Sequence, residues 1–100
     1  MKQDVFNQYV DRVVDLFNIS KEELFSKSKR RELVDARHLL YYLCSKRPMR
    51  INYIQKYMTD NGYKIQHSSV IHGISVIEER IKTDNDYVAI VKEVEKAVFI

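Results

Sequence analysis

Apolar residues recur along this chain at steps of three and four, with no hairpin signal between alternating runs, so the pattern predicts helices throughout. Residues 4–17 place Phe6, Tyr9, Val13, Leu16 and Phe17 on one face. Ser20 reads as an N-cap, and Glu23 three residues on completes a capping box that opens a short helical turn through Phe25. A long helix from about Glu32 to Ser45 turns Leu33, Ala36, Leu40, Leu43 and Cys44 inward, and Pro48 closes it because proline cannot continue a helix interior. A shorter helix over Ile51–Met58 carries Ile51, Ile54 and Met58, and Asn61-Gly62 supplies its stop after a loop that begins at Thr59. The next helix spans about 67–82, with Val70, Ile74, Ile77 and Ile81 as its stripe. Thr83 or Asp84 then caps a last helix that buries Tyr87, Ile90, Val91, Val94 and Val98.

The order short helix, connection, amphipathic helix is that of a helix-turn-helix, although the connection from Thr59 to Gln66 exceeds the usual short turn. The start of the second of these helices is crowded with polar groups: Gln66-His67-Ser68-Ser69-Val70-Ile71-His72. If the apolar stripe faces a core, His67, Ser68 and Ser69 are left at an exposed N-terminus suited to phosphate or a base edge. The plainer reading is that they cap the helix. Gly73, inside the same helix, costs about 1 kcal/mol relative to Ala, so either a close approach requires it or it is tolerated.

Composition sharpens this picture in one place. The 100 residues predict a single domain over 1–100, and 45% hydrophobic content supports one modest core. The net charge is only +3, but residues 26–50 hold eight basic residues against two acidic ones while the flanks are slightly acidic. The surplus centres on Lys27, Lys29, Arg30, Arg31 and Arg37, with Lys46, Arg47 and Arg50 further on. A local basic patch is the footprint of a polyanion binder, or a merely solvated face. No apolar stretch is long enough to cross a membrane, the N-terminus lacks signal-peptide order, and Cys44 is the lone cysteine and reads as core. A cytoplasmic protein of a bacterium or an infected host cell is expected. The histidines show no zinc spacing, and no nucleophile–base or carboxylate pair stands out, so neither a cofactor nor an enzymatic activity is expected.

Two segments together resemble the C-terminal DNA-binding domain of the bacterial replication initiator DnaA. One is the basic run Ser26–Arg31 leading into Glu32-Leu33-Val34-Asp35-Ala36-Arg37-His38, where the family has a long helix beginning near an Arg-Gln pair. The other is Gln66-His67-Ser68-Ser69-Val70-Ile71-His72-Gly73, similar to the family signature Asp-His-Thr-Thr-Val-x-His-Ala. The resemblance covers roughly residues 5–82 and leaves a C-terminal helix at 84–98. Gln66 replaces the signature's acid, Lys64-Ile65 its preceding Gly-Arg, and two serines its threonines, and the loop ahead of it is longer.

The resemblance implies an all-α domain of about five to six helices that binds double-stranded DNA. It places Gln66, His67, Ser68 and Ser69 in the major groove, Lys29 and Arg30 at the adjacent minor groove, and Arg37 and His38 on base or phosphate. Lys27 and Arg31, in the same basic run, are expected DNA-binding residues; Lys46, Arg47 and Arg50 are backbone contacts or solvated charge, and His72 is orienting or packing. No G-x-x-x-x-G-K-[ST] occurs, so no nucleotide is expected as a partner. Marking an origin, competing with an initiator, or regulating transcription are the expected uses, with a phage or mobile-element protein or a standalone paralogue as the setting. The alternative is a small helical interaction module that kept the fold and lost the DNA site.

Overall fold

A computed structural model describes residues 2–96. They form six helices: α1 (Lys2–Phe17), α2 (Lys21–Leu24), α3 (Arg31–Ser45), α4 (Ile51–Asp60), α5 (His67–Thr83) and α6 (Asn85–Lys96). No strand occurs among the described residues. Helix α3 is the centre, packed against α1 on one side and α5 on the other; α4 and α6 lie against α5, and α2 joins α1 to α3.

The helix ends follow from local chemistry. Helix α1 stops at Asn18, whose φ of 55° is the left-handed conformation that Asn tolerates better than most residues. The Asn18 N–H then donates to the Asp15 carbonyl and the Ile19 N–H to the Val14 carbonyl, which occupies two orphan acceptors. Helix α4 ends the same way: Gly62 takes φ 90°, its N–H donates to Thr59, and the Tyr63 N–H donates to Met58. Thr59 and Asp60 therefore belong to the helix and not to the loop, because the glycine that permits the stop comes later. The capping box at α2 forms as expected, with the Glu23 N–H donating to Ser20 Oγ at 3.0 Å and the Ser20 N–H to Glu23 Oε1 at 2.9 Å. These bonds to Ser20 and the Arg30 guanidinium hold the Glu23 carboxyl below its ordinary pKa. Asp84 caps α6 by accepting from the Tyr87 N–H.

The core joins Phe6, Tyr9 and Val13 of α1 to Leu33, Ala36, Leu40, Leu43 and Cys44 of α3, Ile54 and Met58 of α4, and Val70 and Ile77 of α5. Burial pushes the Cys44 thiol far above its ordinary range, which makes it an inert packing residue. Two expected core residues are exposed: Leu16 at 43% and Ile90 at 40%. Each residue of a helix turns about 100° from the last. Leu16 lies one such step off the line continued by Phe17, and Ile90 one step off the line of Tyr87, Val91 and Val94. Ile51, Ile74 and Ile81 are only partly buried, and Val98 lies outside the described residues.

Gly73 lies where α5 packs closely on His38 and Tyr41 of α3. A Cβ there would lie 2.8 Å from His38 Cδ2 and 2.8 Å from Tyr41 Cδ2. The packing of two helices, not DNA, explains this glycine. Tyr41 is buried and cannot swing away. Gly73→Ala should therefore lose more by overpacking, about 1–3 kcal/mol, than the roughly 1 kcal/mol it gains in helix propensity. A melting temperature lowered by several degrees in thermal denaturation is the expected result; a raised one would mean that α3 yields.

Candidate nucleic-acid interface

The basic run is held in shape by alternation. Ser26 and Ser28 are set against Lys27 and Lys29 along the loop. Ser26 Oγ donates to the Glu23 carbonyl at 2.7 Å and accepts from the Ser28 N–H, and Ser28 Oγ accepts from the Arg30 N–H. The serines thus bind the loop to itself and leave the lysine amines to the surface.

Arg37 completes that loop from below. Its place in the basic cluster suggests a DNA contact, but it is only 2% exposed. Its guanidinium donates to four backbone carbonyls: Leu24 at 2.7 Å, Ser26 at 2.7 Å, Ser28 at 2.9 Å and Glu23 at 3.3 Å. A fork of five N–H donors is the one side chain able to close a turn in this way. The Tyr63 ring covers it, 4.6 Å from the guanidinium carbon to the ring centroid. Through this stack the loop before α3 is tied to the loop before α5, so Arg37 positions the basic run.

Between these two loops lies an open groove of about 600 Å³. Lys29 stands on one wall and Gln66, Ser68 and Ser69 on the other, with Lys64 beside them. Gln66, His67, Ser68 and Ser69 are all exposed. Gln66 is the N-cap of α5 and makes no side-chain cap hydrogen bond. The first-turn N–H groups at the positive end of a seventeen-residue helix are left without a side-chain cap from Gln66. Gln55 steadies the approach to this tip by donating from Nε2 to the Ile65 carbonyl at 2.9 Å.

His38 forms the floor of the groove. Its ring meets His72 edge-to-face at 5.8 Å between centroids and packs under Gly73. Its Nδ1 is buried without a hydrogen-bond partner among the described residues. Burial, and then the neighbouring His72, push the His38 pKa below the ordinary histidine value. The ring is half-buried and lines the groove, so its packing shapes that floor. His72 makes that edge-to-face contact while itself remaining exposed.

The remaining expected contacts are not gathered here. Arg30 is paired twice, to Glu23 at 2.8 Å and to Glu32 at 3.1 Å, and turns away from the groove. Lys27, in the loop, and Arg31, the first residue of α3, lie outside the groove. Lys46 lies at the far end of α3, roughly 22 Å along its axis from Arg31, over the Tyr42 ring. Arg47 donates to the Tyr9 hydroxyl and pins α3 to α1. Tyr63, Lys64 and Gln55 join the site only through the fold. Of these, Lys64, a cation two residues before the polar tip, is the one with a legible signal in the sequence.

Helix α4, a glycine-stopped connection and an uncapped α5 set against a central helix define a helix-turn-helix domain. A family model described as the bacterial dnaA protein helix-turn-helix matches residues 7–77. The chain belongs to that family. It is 37% identical over 76 residues to the chromosomal replication initiator protein DnaA of Oleidesulfovibrio alaskensis, covering 75% of this chain and 15% of that protein. It is 26% identical over 100 residues to DnaA of Flavobacterium psychrophilum, covering 96% and 20%. With DnaA of Chlorobaculum tepidum the identity is 29% over 96 residues, covering 88% and 17%. The chain thus spans a fifth or less of the length of these relatives. No solved structure matches significantly. No described helix is long and apolar enough to cross a membrane.

Proposed function

We propose that this domain binds double-stranded DNA at a preferred sequence, in recognising or regulating a replication origin. Helix α5 enters the major groove tip first. Gln66, His67, Ser68 and Ser69 meet base edges, where Gln suits a bidentate pair with adenine and His and Ser donate or accept singly. Lys29 reaches the adjacent minor groove, where a narrow groove concentrates negative potential. Lys64, Lys27 and Arg31 contact phosphates, which orient the domain without reading sequence. One observation supports this reading: Lys29 and Gln66, Ser68 and Ser69, far apart in sequence, flank one open groove whose cations have no carboxylate partner among the described residues.

An electrophoretic shift titrated with salt tests it. Binding to a pool of random duplexes should weaken as salt rises, with a log–log slope of about −0.9 per phosphate neutralised. Selection from the same pool should enrich one sequence. No shift at low salt would overturn the proposal and favour a helical interaction module instead.

A further inference from the structure

We infer that Ile71 reads the C5-methyl group of a thymine, an inference that rests on the DNA binding proposed above. Three large apolar side chains are exposed among the described residues, and Ile71, at 47%, is the most exposed of them and the one on α5. Neither burial nor propensity accounts for it there. Half its surface is open, and a β-branched residue is a poorer helix former than the Leu, Lys or Gln that an exposed position accepts.

Its place on the helix is specific. Ile71 lies four residues after His67, so it shares that residue's face, roughly 6 Å further along the axis. That is within the first two turns of a recognition helix, the part that reaches base edges. Ser68, Ser69 and His72 turn toward the groove shared with Lys29, whereas His67 and Ile71 do not line it. These two form the opposite flank of the tip.

Chemistry then assigns the ligand. Gln66, His67, Ser68 and Ser69 offer hydrogen bonds and no methyl group. The thymine C5-methyl offers no hydrogen bond and is read through apolar contact alone. Ile71 is the exposed tip residue that supplies such contact, so it distinguishes thymine from cytosine at one position that the hydrogen-bonding residues leave unread.

The test uses the full 100-residue chain and the duplex enriched from a random library. Each thymine is replaced singly by deoxyuridine, which removes the methyl and keeps the pairing edge. Affinities are measured by fluorescence anisotropy for the wild type, Ile71→Val and Ile71→Ala. At one thymine the wild type should lose about fourfold in affinity, the weight of one methyl-sized apolar contact. Ile71→Ala should lose nothing further there, and Ile71→Val an intermediate amount. Because Ile71 is exposed, both variants should keep the wild-type circular dichroism and melting temperature. A specific duplex that contains no thymine coupled to Ile71, or that Ile71→Ala binds as well as the wild type, overturns this inference and leaves DNA binding standing. A wild-type chain that binds no duplex overturns both.

Discussion

Arg37→Ala should lower the stability of this domain by about 3 kcal/mol or more, although Arg37 belongs to the basic cluster that reads as a DNA surface. The guanidinium is buried and donates to the carbonyls of Glu23, Leu24, Ser26 and Ser28. A hydrogen bond from a charged donor contributes about 1.5–3 kcal/mol, and unpaired buried acceptors then cost their own desolvation. The four bonds act as a unit, so the loss is smaller than their sum. For a domain of this size, about 3 kcal/mol corresponds to a melting temperature lower by roughly 12–24 °C. Arg37→Lys keeps the charge and should recover only a small part, because one ammonium cannot fork across four carbonyls. The expected signature is a stability loss in both variants, read by thermal or urea denaturation without DNA. Variants as stable as the wild type but weak on DNA would place Arg37 at the ligand instead.

This residue also shows what is legible in the sequence. The helices are, because their apolar stripes are regular and their ends carry Ser20 and Asp84 as caps and Gly62 as a stop. The groove is half legible. Its polar tip and basic run stand out as composition, but nothing local says that they face each other; that depends on α3 packing between them. Arg37 is in fact placed by periodicity. It follows Leu33 by four and precedes Leu40 by three, so it lies on the buried stripe of α3. A charge on that stripe must find partners inside, and the carbonyls at the end of α2 and in the loop after it provide them. Its register, not its charge, decides where it goes. His38 is illegible for another reason: its burial depends on Gly73, far along the chain, letting α5 approach.

The same geometry gives the tip of α5 and the basic loop different roles, and a pair of variants should separate them. His67→Ala with Ser68→Ala removes readers of base edges while leaving every Lys and Arg in place. Affinity for the enriched duplex should fall by about 1–3 kcal/mol for each base that goes unread, while affinity for random duplexes barely changes. Lys29→Ala should do the reverse. Its amine has no carboxylate partner among the described residues, so it can neutralise a phosphate or enter a minor groove. All sequences should weaken together, and the salt slope should drop by about one. Arg30 supplies the internal control. Held by Glu23 and Glu32, it already has its counter-charges, so Arg30→Ala should leave the slope close to the wild-type value. Anisotropy titrations of the three variants at several salt concentrations decide the matter. Equal losses on enriched and random duplexes for the tip variant would show that α5 touches only the backbone, and a slope that falls for Arg30→Ala but not for Lys29→Ala would put the DNA on the other side of the loop.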